Sequence, residues 1–216
     1  MRGRSHGLWK GNLTPKPRPL TANRAALLVI DIQKSTFIDD STIRLIPNMP
    51  NYREYMLAGR ALVDSAHAAN IPVVFIQEIH RADGVDFGRE LDGNEDVHCL
   101  DNDPRTEIAK EEMGFRQGDY IVPKRRYSVF FGTDLEILLR GLKADTLFLI
   151  GGLTDVCVHY TFVDAHQSDY HCHVVEDCVA GSSIAAHEAA LHAMEYLQTG
   201  ARQTRDSVLG AFRQLA

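Results

Sequence analysis

Residues 146–159 read TLFLIGGLTDVCVH, and this stretch sets the architecture of the chain. The apolar run 146–150 has the length of a strand, and the two glycines behind it allow a tight backbone turn. Thr154 and Asp155 are residue types that suit the first turn of a helix. The stretch therefore predicts a buried strand that turns directly into a helix, which is the building unit of a parallel sheet covered by helices.

Short apolar runs alternate with amphipathic segments along the rest of the chain. The other predicted strands are residues 25–30 (AALLVI), 71–76 (IPVVFI), 120–122 (YIV), 172–175 (CHVV) and a weak sixth near 201–204. Apolar residues at helical spacing predict a helix from residue 52 to near Asn70, one over 135–142 with Thr133 as N-cap, and one over 183–197 ended by Gly200. The sequence thus predicts an α/β fold: a single domain with an open, mostly parallel six-stranded sheet and helices on both faces, Rossmann-like in layout.

Two segments do not follow this alternation. Residues 1–20 are basic and contain three prolines, so we expect an extended N-terminal arm before a domain that spans residues 21–216. Residues 81–118 are long and acidic and lack strong periodicity. Loops of this length in compact domains are usually functional or disordered.

Composition excludes several classes of function. The formal net charge of −6 argues against a nucleic-acid or anionic-membrane partner. The apolar runs are of strand length, far below the roughly 20 residues that span a bilayer, and residues 1–20 lack the apolar core of a secretory signal. The four cysteines show no regular spacing, so neither a disulfide framework nor a zinc ribbon is indicated. These features predict a cytoplasmic protein.

Cys157 has two interpretations on local sequence, and they are equally compatible with it. At a helix N-terminus the dipole favours negative charge, which would lower the pKa of the Cys157 thiol and make it a nucleophile. Cysteine is also a common buried residue that packs as a small hydrophobe. We expect that packed role for Cys99, for Cys172 in a strand, and for Cys178 in a loop.

Two further polar residues follow predicted strands, at the edge of the sheet where ligands bind. Asp31 comes directly after residues 25–30, and Lys124 follows the third strand. Asp31 could act as a base for Cys157 if burial raised its pKa, and Lys124 could stabilise both anions. Alone, each is also explained as a loop carboxylate or a solvated lysine. Together the three residue types favour catalysis.

The chain resembles the isochorismatase-like cysteine hydrolases, which include nicotinamidases, N-carbamoylsarcosine amidase, biuret hydrolase and ureidoacrylate amidohydrolase. The resemblance rests on LVIDIQ at 28–33, VPK at 122–124 and GGLTDVCV at 151–158. It implies the Asp-Lys-Cys triad Asp31, Lys124 and Cys157. It also implies an oxyanion hole formed by the N–H groups of Leu153 and Cys157, with a cis peptide bond between Gly152 and Leu153.

The same resemblance implies a cofactor-independent, cysteine-dependent amidohydrolase that cleaves a small amide, carbamoyl or ureide substrate through a thioester. It further implies a homo-oligomer, either a dimer or a tetramer, with the segments 1–20 and 81–118 at the interface between subunits. Two rival functions stay open: hydrolysis of a vinyl ether, as in true isochorismatases, and binding of a small molecule without turnover. The presence of Cys157 favours amide chemistry.

The chain departs from the nicotinamidase pattern after the second strand. Nicotinamidases carry an Asp-x-His metal motif there, whereas this chain has Glu78 and His80, with only His98 nearby. Since a stable metal site needs three or more ligands, we expect no metal and assign Glu78 and His80 to substrate contact or loop fixation. The remaining candidates for substrate contact are Phe37, Tyr127 and Phe130.

Overall fold

The computed structural model describes residues 19–38 and 46–215. Most of the predicted arm at residues 1–20 therefore lies outside the described residues. Within the described part of the chain, no helix is both long enough and apolar enough to cross a membrane.

A single parallel sheet forms the centre of the described fold. Its strands are β1 (Ala25–Ile30), β2 (Val73–Glu78), β3 (Tyr120–Lys124), β4 (Thr146–Gly152), β5 (His171–Ala180) and β6 (Arg202–Gln203). They lie in the order β3-β2-β1-β4-β5-β6, and every pairing is parallel. β1 and β4 are central and buried along their whole length. The predicted fold class is confirmed, including the short sixth strand.

Helices cover both faces of the sheet. They are α1 (Tyr52–Ala58), α2 (Arg60–Ala68), α3 (Lys110–Met113), α4 (Leu135–Gly141), α5 (His159–Gln167), α6 (Ile184–Leu197) and α7 (Arg205–Arg213). Because side chains alternate along a strand, Leu27 and Val29 of β1 pack with α1, α2 and α7 in one apolar cluster. Leu28 and Ile30 of the same strand pack with α4, α5 and α6 in the other.

Several predicted details of the elements are wrong. The helix predicted from residue 52 to near Asn70 is divided at Gly59. A Cβ there would lie 2.8 Å from Ile150 Cδ1, so the backbone approaches the sheet closely at this point. Asp134, not Thr133, is the N-cap of α4, although the Thr133 hydroxyl accepts a hydrogen bond from the Leu135 N–H at 3.2 Å. Cys178 lies in β5, which is longer than predicted, and not in a loop.

Candidate active site

The carboxyl ends of the four strands β1 to β4 bring the polar residues of the site together. Asp31 directly follows β1, and Glu78 and Lys124 are the last residues of β2 and β3, where they are register partners. β4 ends at Gly152 and leads into the turn that carries Cys157. Parallel strands with neighbouring ends explain why residues far apart in sequence meet here.

Lys124 contacts the other three polar residues at these strand ends. Its ammonium Nζ lies 2.6 Å from Glu78 Oε2 and 2.9 Å from Asp31 Oδ2. The same Nζ lies 3.4 Å from Cys157 Sγ. Only 1% of the Lys124 surface is exposed, so these contacts replace water around the charge. The structure therefore places Asp31, Lys124 and Cys157 in one group, as the sequence predicts, and adds the second carboxylate of Glu78.

The turn before Cys157 depends on glycine. Gly151 has φ of +116°, and a Cβ there would lie 2.0 Å from the carbonyl oxygen of Ile30 on the paired strand. The bond between Gly152 and Leu153 is cis, as the resemblance implies. The following turn, Thr154–Val158, is wider than an α-helical turn, since the Val158 N–H donates to the Leu153 carbonyl, and α5 starts behind it.

Burial controls ionisation in this group. Burial raises the pKa of Asp31 to about 6, against the opposing effect of Lys124, and the charge of Glu78 raises it further. Burial would lower the pKa of Lys124, but Asp31, Cys157 and Glu78 outweigh that effect and raise it, so the lysine is charged. A carboxylate with a raised proton affinity beside a fixed cation is suited to accept a proton.

The expectation of a lowered pKa for the Cys157 thiol is wrong. Burial raises the pKa of Cys157 well above its ordinary value; Lys124 opposes the change, whereas Asp31 and Glu78 reinforce it. Removal from water and two neighbouring carboxylates therefore outweigh the helix N-terminus and the lysine. The resting thiol is protonated, so it needs a base to become a nucleophile.

A cavity of about 770 Å³ opens onto this group. Asp31, Glu78 and Cys157 line it together with Leu153, whose N–H is one of the two predicted oxyanion donors. The wall is mixed in polarity. Its other polar and aromatic residues include Gln33, Tyr52, Glu95, His98, Cys99 and Tyr127. A cavity of this size admits a small organic molecule.

The five residues predicted to contact substrate are divided by the structure. Glu78 and Tyr127 line the cavity. Phe37 does not line it: its ring packs on the apolar cluster under α1, with the Arg53 guanidinium 5.7 Å from the ring centre. The aromatic pattern that suggested Phe37 as a cavity wall is satisfied by core packing instead.

His80 and Phe130 are also absent from the cavity lining. His80 is fully buried and stacks on Phe87 with ring centres 4.0 Å apart. Phe130 faces Tyr170 at 5.9 Å between ring centres and packs in the apolar cluster on the opposite side of the sheet from α1. Neither side chain is therefore placed to contact substrate directly. Phe130 packs in the apolar core, and His80 belongs to a buried polar cluster.

That polar cluster, which we call the loop cluster, consists of Glu78, His80, Glu90 and His98. Its donor atoms all lie within 4.8 Å of one another, and all four residues are buried. Glu78 Oε1 lies 2.8 Å from His98 Nε2 and 3.4 Å from His80 Nε2, and the latter nitrogen lies 3.2 Å from Glu90 Oε2. The expectation that too few ligands meet here is wrong, because the loop after β2 supplies Glu90 and His98.

The loop cluster fits a divalent metal ion such as zinc. Contacts of about 2.0–2.2 Å from a tetrahedral zinc to N and O ligands place those ligands roughly 3.4 Å apart, close to the separations seen here. The other ring nitrogen of His98 lies 2.6 Å from the Asp96 carbonyl oxygen, so it carries the proton and Nε2 faces the cluster. Neither buried oxygen of Glu90 accepts a well-aligned hydrogen bond from a described residue.

Without a metal ion, protons on His80 and His98 would balance the negative charge of the two glutamates in the loop cluster. Burial would lower the pKa of His80, but contacts with Glu78 and Glu90 raise it to about 9, and Glu78 likewise raises the pKa of His98. Burial would raise the pKa of Glu78, but Lys124, His80 and His98 hold it well below its ordinary range. In either form Glu78 is anionic and fixed between a lysine and two histidines.

Besides Glu90 and His98, the sequence interpretation missed Gln33, Cys99 and Tyr52. Gln33 donates to the carbonyl oxygens of Glu78 (3.0 Å) and Thr106 (2.7 Å), which ties the end of β1 to β2 and to the long loop. Its place two residues after Asp31 was a usable signal. Cys99 lines the cavity instead of packing in the core, and Tyr52 lines it from the first residue of α1.

The long stretch 81–118 contributes directly to the site. It folds into short helical turns at Glu90–Asp92 and Pro104–Thr106 before α3. Glu95, His98, Cys99, Asp103, Arg105 and Thr106 from this stretch all line the cavity. The functional alternative for this loop is thereby favoured over disorder.

Comparison with known proteins gives consistent matches. A family model described as Isochorismatase domain matches residues 25–206. YwoC, an isochorismatase family protein of Bacillus subtilis, is 30% identical over 170 residues, which cover 78% of this chain and 84% of that protein. The ureidoacrylate amidohydrolase RutB of Rhizobium rhizogenes is 26% identical over 181 residues, covering 76% of this chain and 73% of the relative.

The fold is likewise shared with a solved structure. The crystal structure of a cysteine hydrolase from Pseudomonas syringae pv. phaseolicola has a TM-score of 0.81 with this chain and 27% sequence identity. The match covers 94% of this chain and 100% of the other. The likeness thus extends over the sheet, the helices and the strand ends that carry the site.

Proposed function

This chain belongs to the isochorismatase-like cysteine hydrolase family, and we propose that it is a cysteine-dependent amidohydrolase. The observation that carries the proposal is the single lysine, Lys124, in contact with both Asp31 and Cys157 in a buried group that opens onto a cavity. The relatives named ureidoacrylate amidohydrolase support the same chemistry. The substrate we propose is a small amide, carbamoyl or ureide compound.

The first half of the reaction forms a thioester. Asp31 accepts the proton of the Cys157 thiol, whose raised pKa keeps it protonated until substrate arrives. The thiolate attacks the carbonyl carbon, a C–S bond forms, and the C=O electron pair moves onto oxygen. When the C–N bond breaks, the leaving nitrogen takes the proton from Asp31, and ammonia or an amine departs. Lys124 stays charged throughout and stabilises each anion in turn.

The second half returns the enzyme to its starting state. Water enters the cavity and loses a proton to Asp31 as it attacks the thioester carbonyl. The C–S bond breaks, the acid product leaves, and the proton on Asp31 returns to the Cys157 thiolate. In both halves we assign the N–H groups of Leu153 and Cys157 as donors to the oxyanion. Both residues line the cavity next to the thiol.

Substrate contact is assigned to Glu78 and Tyr127, the two predicted residues that line the cavity. The Glu78 carboxylate accepts hydrogen bonds, which suits the N–H groups of an amide or ureide. If a metal ion binds, Glu78, His80, Glu90 and His98 would hold it, and it would supply a positive charge that attracts a polar substrate group. The proton transfers of both halves use only the side chains of Asp31 and Cys157, with Lys124 as the fixed cation.

The proposal includes a homo-oligomer, dimer or tetramer, in a reducing cytoplasm. All four cysteines are free thiols, which agrees with a reducing environment. Light scattering on the purified protein measures the mass of the assembly.

Ammonia release from a panel of small amides, carbamoyl compounds and ureides tests the function. We expect at least one compound to be hydrolysed by the parent and not by Cys157→Ala at equal folded concentration. Cys172→Ala is the matched control, because Cys172 is a buried thiol outside the cavity lining. Amide hydrolysis that survives in Cys157→Ala would contradict the role of the thiol. No turnover of any compound by the parent would favour the vinyl ether alternative, or, if a compound binds, the non-catalytic one.

A further inference from the structure

The side chain of Tyr52 fills the space beside Gly152. Tyr52 is the first residue of α1 and lines the cavity. A Cβ built on Gly152 would lie 2.1 Å from the Tyr52 hydroxyl oxygen and 2.9 Å from Cζ. The phenol therefore occupies the volume that any side chain at residue 152 would need. Its oxygen is held against the backbone that leads directly into the Leu153 N–H.

The hydroxyl of Tyr52 keeps its proton. Burial raises the pKa of Tyr52, and the neighbouring charges of Asp31 and Cys157 raise it further. The phenol is therefore neutral at neutral pH. Among the described residues, its O–H group donates no hydrogen bond. A protonated hydroxyl thus lies on the wall of the cavity beside Gly152, one residue before the Leu153 N–H.

We propose that the Tyr52 hydroxyl is a third donor to the oxyanion, beside the N–H groups of Leu153 and Cys157. The inference rests on the proposed function. As the Cys157 thiolate adds to the carbonyl carbon, the electron pair of the C=O bond moves onto oxygen, and the Tyr52 O–H donates to that oxygen. The proton stays on Tyr52, because its raised pKa opposes transfer. Such a contact strengthens as charge develops and therefore lowers the barrier.

Removal of the Tyr52 hydroxyl alone distinguishes a role of this residue in catalysis from a role in packing. Tyr52→Phe retains the ring that packs beside Gly152 and removes only the oxygen. Tyr55→Phe is the matched control: it lies on the same helix, is half-buried, and faces the His187 ring with 6.1 Å between ring centres. Tyr55 does not line the cavity. Both variants lose one phenolic oxygen, so a general loss of stability would affect them alike.

The experiment measures kcat and KM for the best amide, and the inhibition constant of the corresponding aldehyde. The aldehyde adds the Cys157 thiol across its C=O bond, and its oxygen then lies where the oxyanion forms. For Tyr52→Phe we expect kcat to fall about 100-fold with KM within about 2-fold of the parent, and inhibition by the aldehyde to weaken by a similar factor. Tyr55→Phe should match the parent in all three values.

The possible results distinguish the oxyanion role of Tyr52 from the amidohydrolase function on which it rests. An active parent with an equally active Tyr52→Phe variant overturns the oxyanion role and leaves the amidohydrolase intact. A fall in kcat/KM that comes only from a higher KM also overturns it, because that result indicates substrate binding without preference for the transition state. A parent without thiol-dependent hydrolysis of any amide overturns both proposals.

Discussion

Buried charges around Glu78 form two groups that are balanced in different ways. On one side, Lys124 supplies one permanent cation between the carboxylates of Asp31 and Glu78, with the Cys157 thiol beside it. On the other side lies the loop cluster, in which two histidines face Glu78 and Glu90 and the positive charge must come from protons or a metal ion. Glu78 belongs to both groups and couples them.

The difference shows what each group can do. A lysine whose pKa is raised cannot lose its charge at neutral pH, so in the proposed mechanism the proton moves only between Cys157, Asp31 and the reacting molecules. The loop cluster has no such fixed cation, and its composition depends on the solution. Perturbation of the first group should therefore affect turnover, whereas perturbation of the second should affect stability and metal content.

After loss of the Cys157 thiol, the largest effect should come from Asp31→Asn. The amide keeps the shape of the side chain but cannot accept the Cys157 proton, so we expect kcat/KM to fall about 1,000-fold. Steady-state kinetics on the best amide measures it. Asp64→Asn, an exposed carboxylate paired with Arg60, is the control and should keep full activity. Turnover by Asp31→Asn near the parent rate would remove Asp31 from the role of base.

The pH dependence of the parent should report the same carboxylate. Asp31 must be ionised to accept a proton, and its pKa is about 6. We therefore expect kcat/KM to rise with pH through about 6, and to fall about tenfold per pH unit well below that value. A profile that is flat from pH 5 to 7 would contradict the raised pKa of Asp31.

Zinc should bind the loop cluster and raise the Tm of the protein. At a concentration about 100 times the Kd, a ligand that binds only the folded state adds about 2.7 kcal/mol. For a chain of this size, that corresponds to an increase in Tm of about 5 °C or more. Thermal melts with and without zinc measure the shift. In Glu90→Gln, which loses one ligand oxygen, the shift should largely disappear; no shift in the parent would instead indicate a cluster balanced by protons.

Phe37→Leu should have the smallest effect. Phe37 packs under α1 and does not line the cavity. We expect kcat/KM to stay within about 2-fold and the free energy of unfolding to fall by about 1 kcal/mol. Tyr127→Leu is the contrasting variant, since Tyr127 lines the cavity, and its KM should rise about tenfold. A large KM change in Phe37→Leu would restore Phe37 to the substrate wall.

The sequence was sufficient for the sheet and for the meeting of Asp31, Lys124 and Cys157, because both depend on local patterns. Apolar runs locate the strands, and Asp31, Lys124 and Cys157 each lie at or just beyond a strand end. The topology of a parallel sheet then brings them together without further information. The short helix α7 was missed, because its apolar positions Val208, Ala211 and Phe212 cover barely two turns.

The remaining parts of the site depend on tertiary contacts, which the periodicity of apolar residues in the sequence does not reveal. Glu90 and His98 lie in an irregular loop, 12 and 20 residues beyond Glu78, and meet it only through the fold of that loop. Tyr52 begins a helix whose spacing indicated a core face. The pKa of Cys157 was predicted from the helix N-terminus alone, whereas its direction is determined by burial, which a sequence does not show.

The most direct measurement is the intact mass of the protein after acid quenching during turnover of a slowly hydrolysed amide, followed by peptide mapping. The mechanism predicts a mass increase equal to the acyl group, carried by the peptide that contains Cys157 and absent from Cys157→Ala. Rapid turnover with no acylated protein, or acylation of a different residue, would contradict the thioester mechanism.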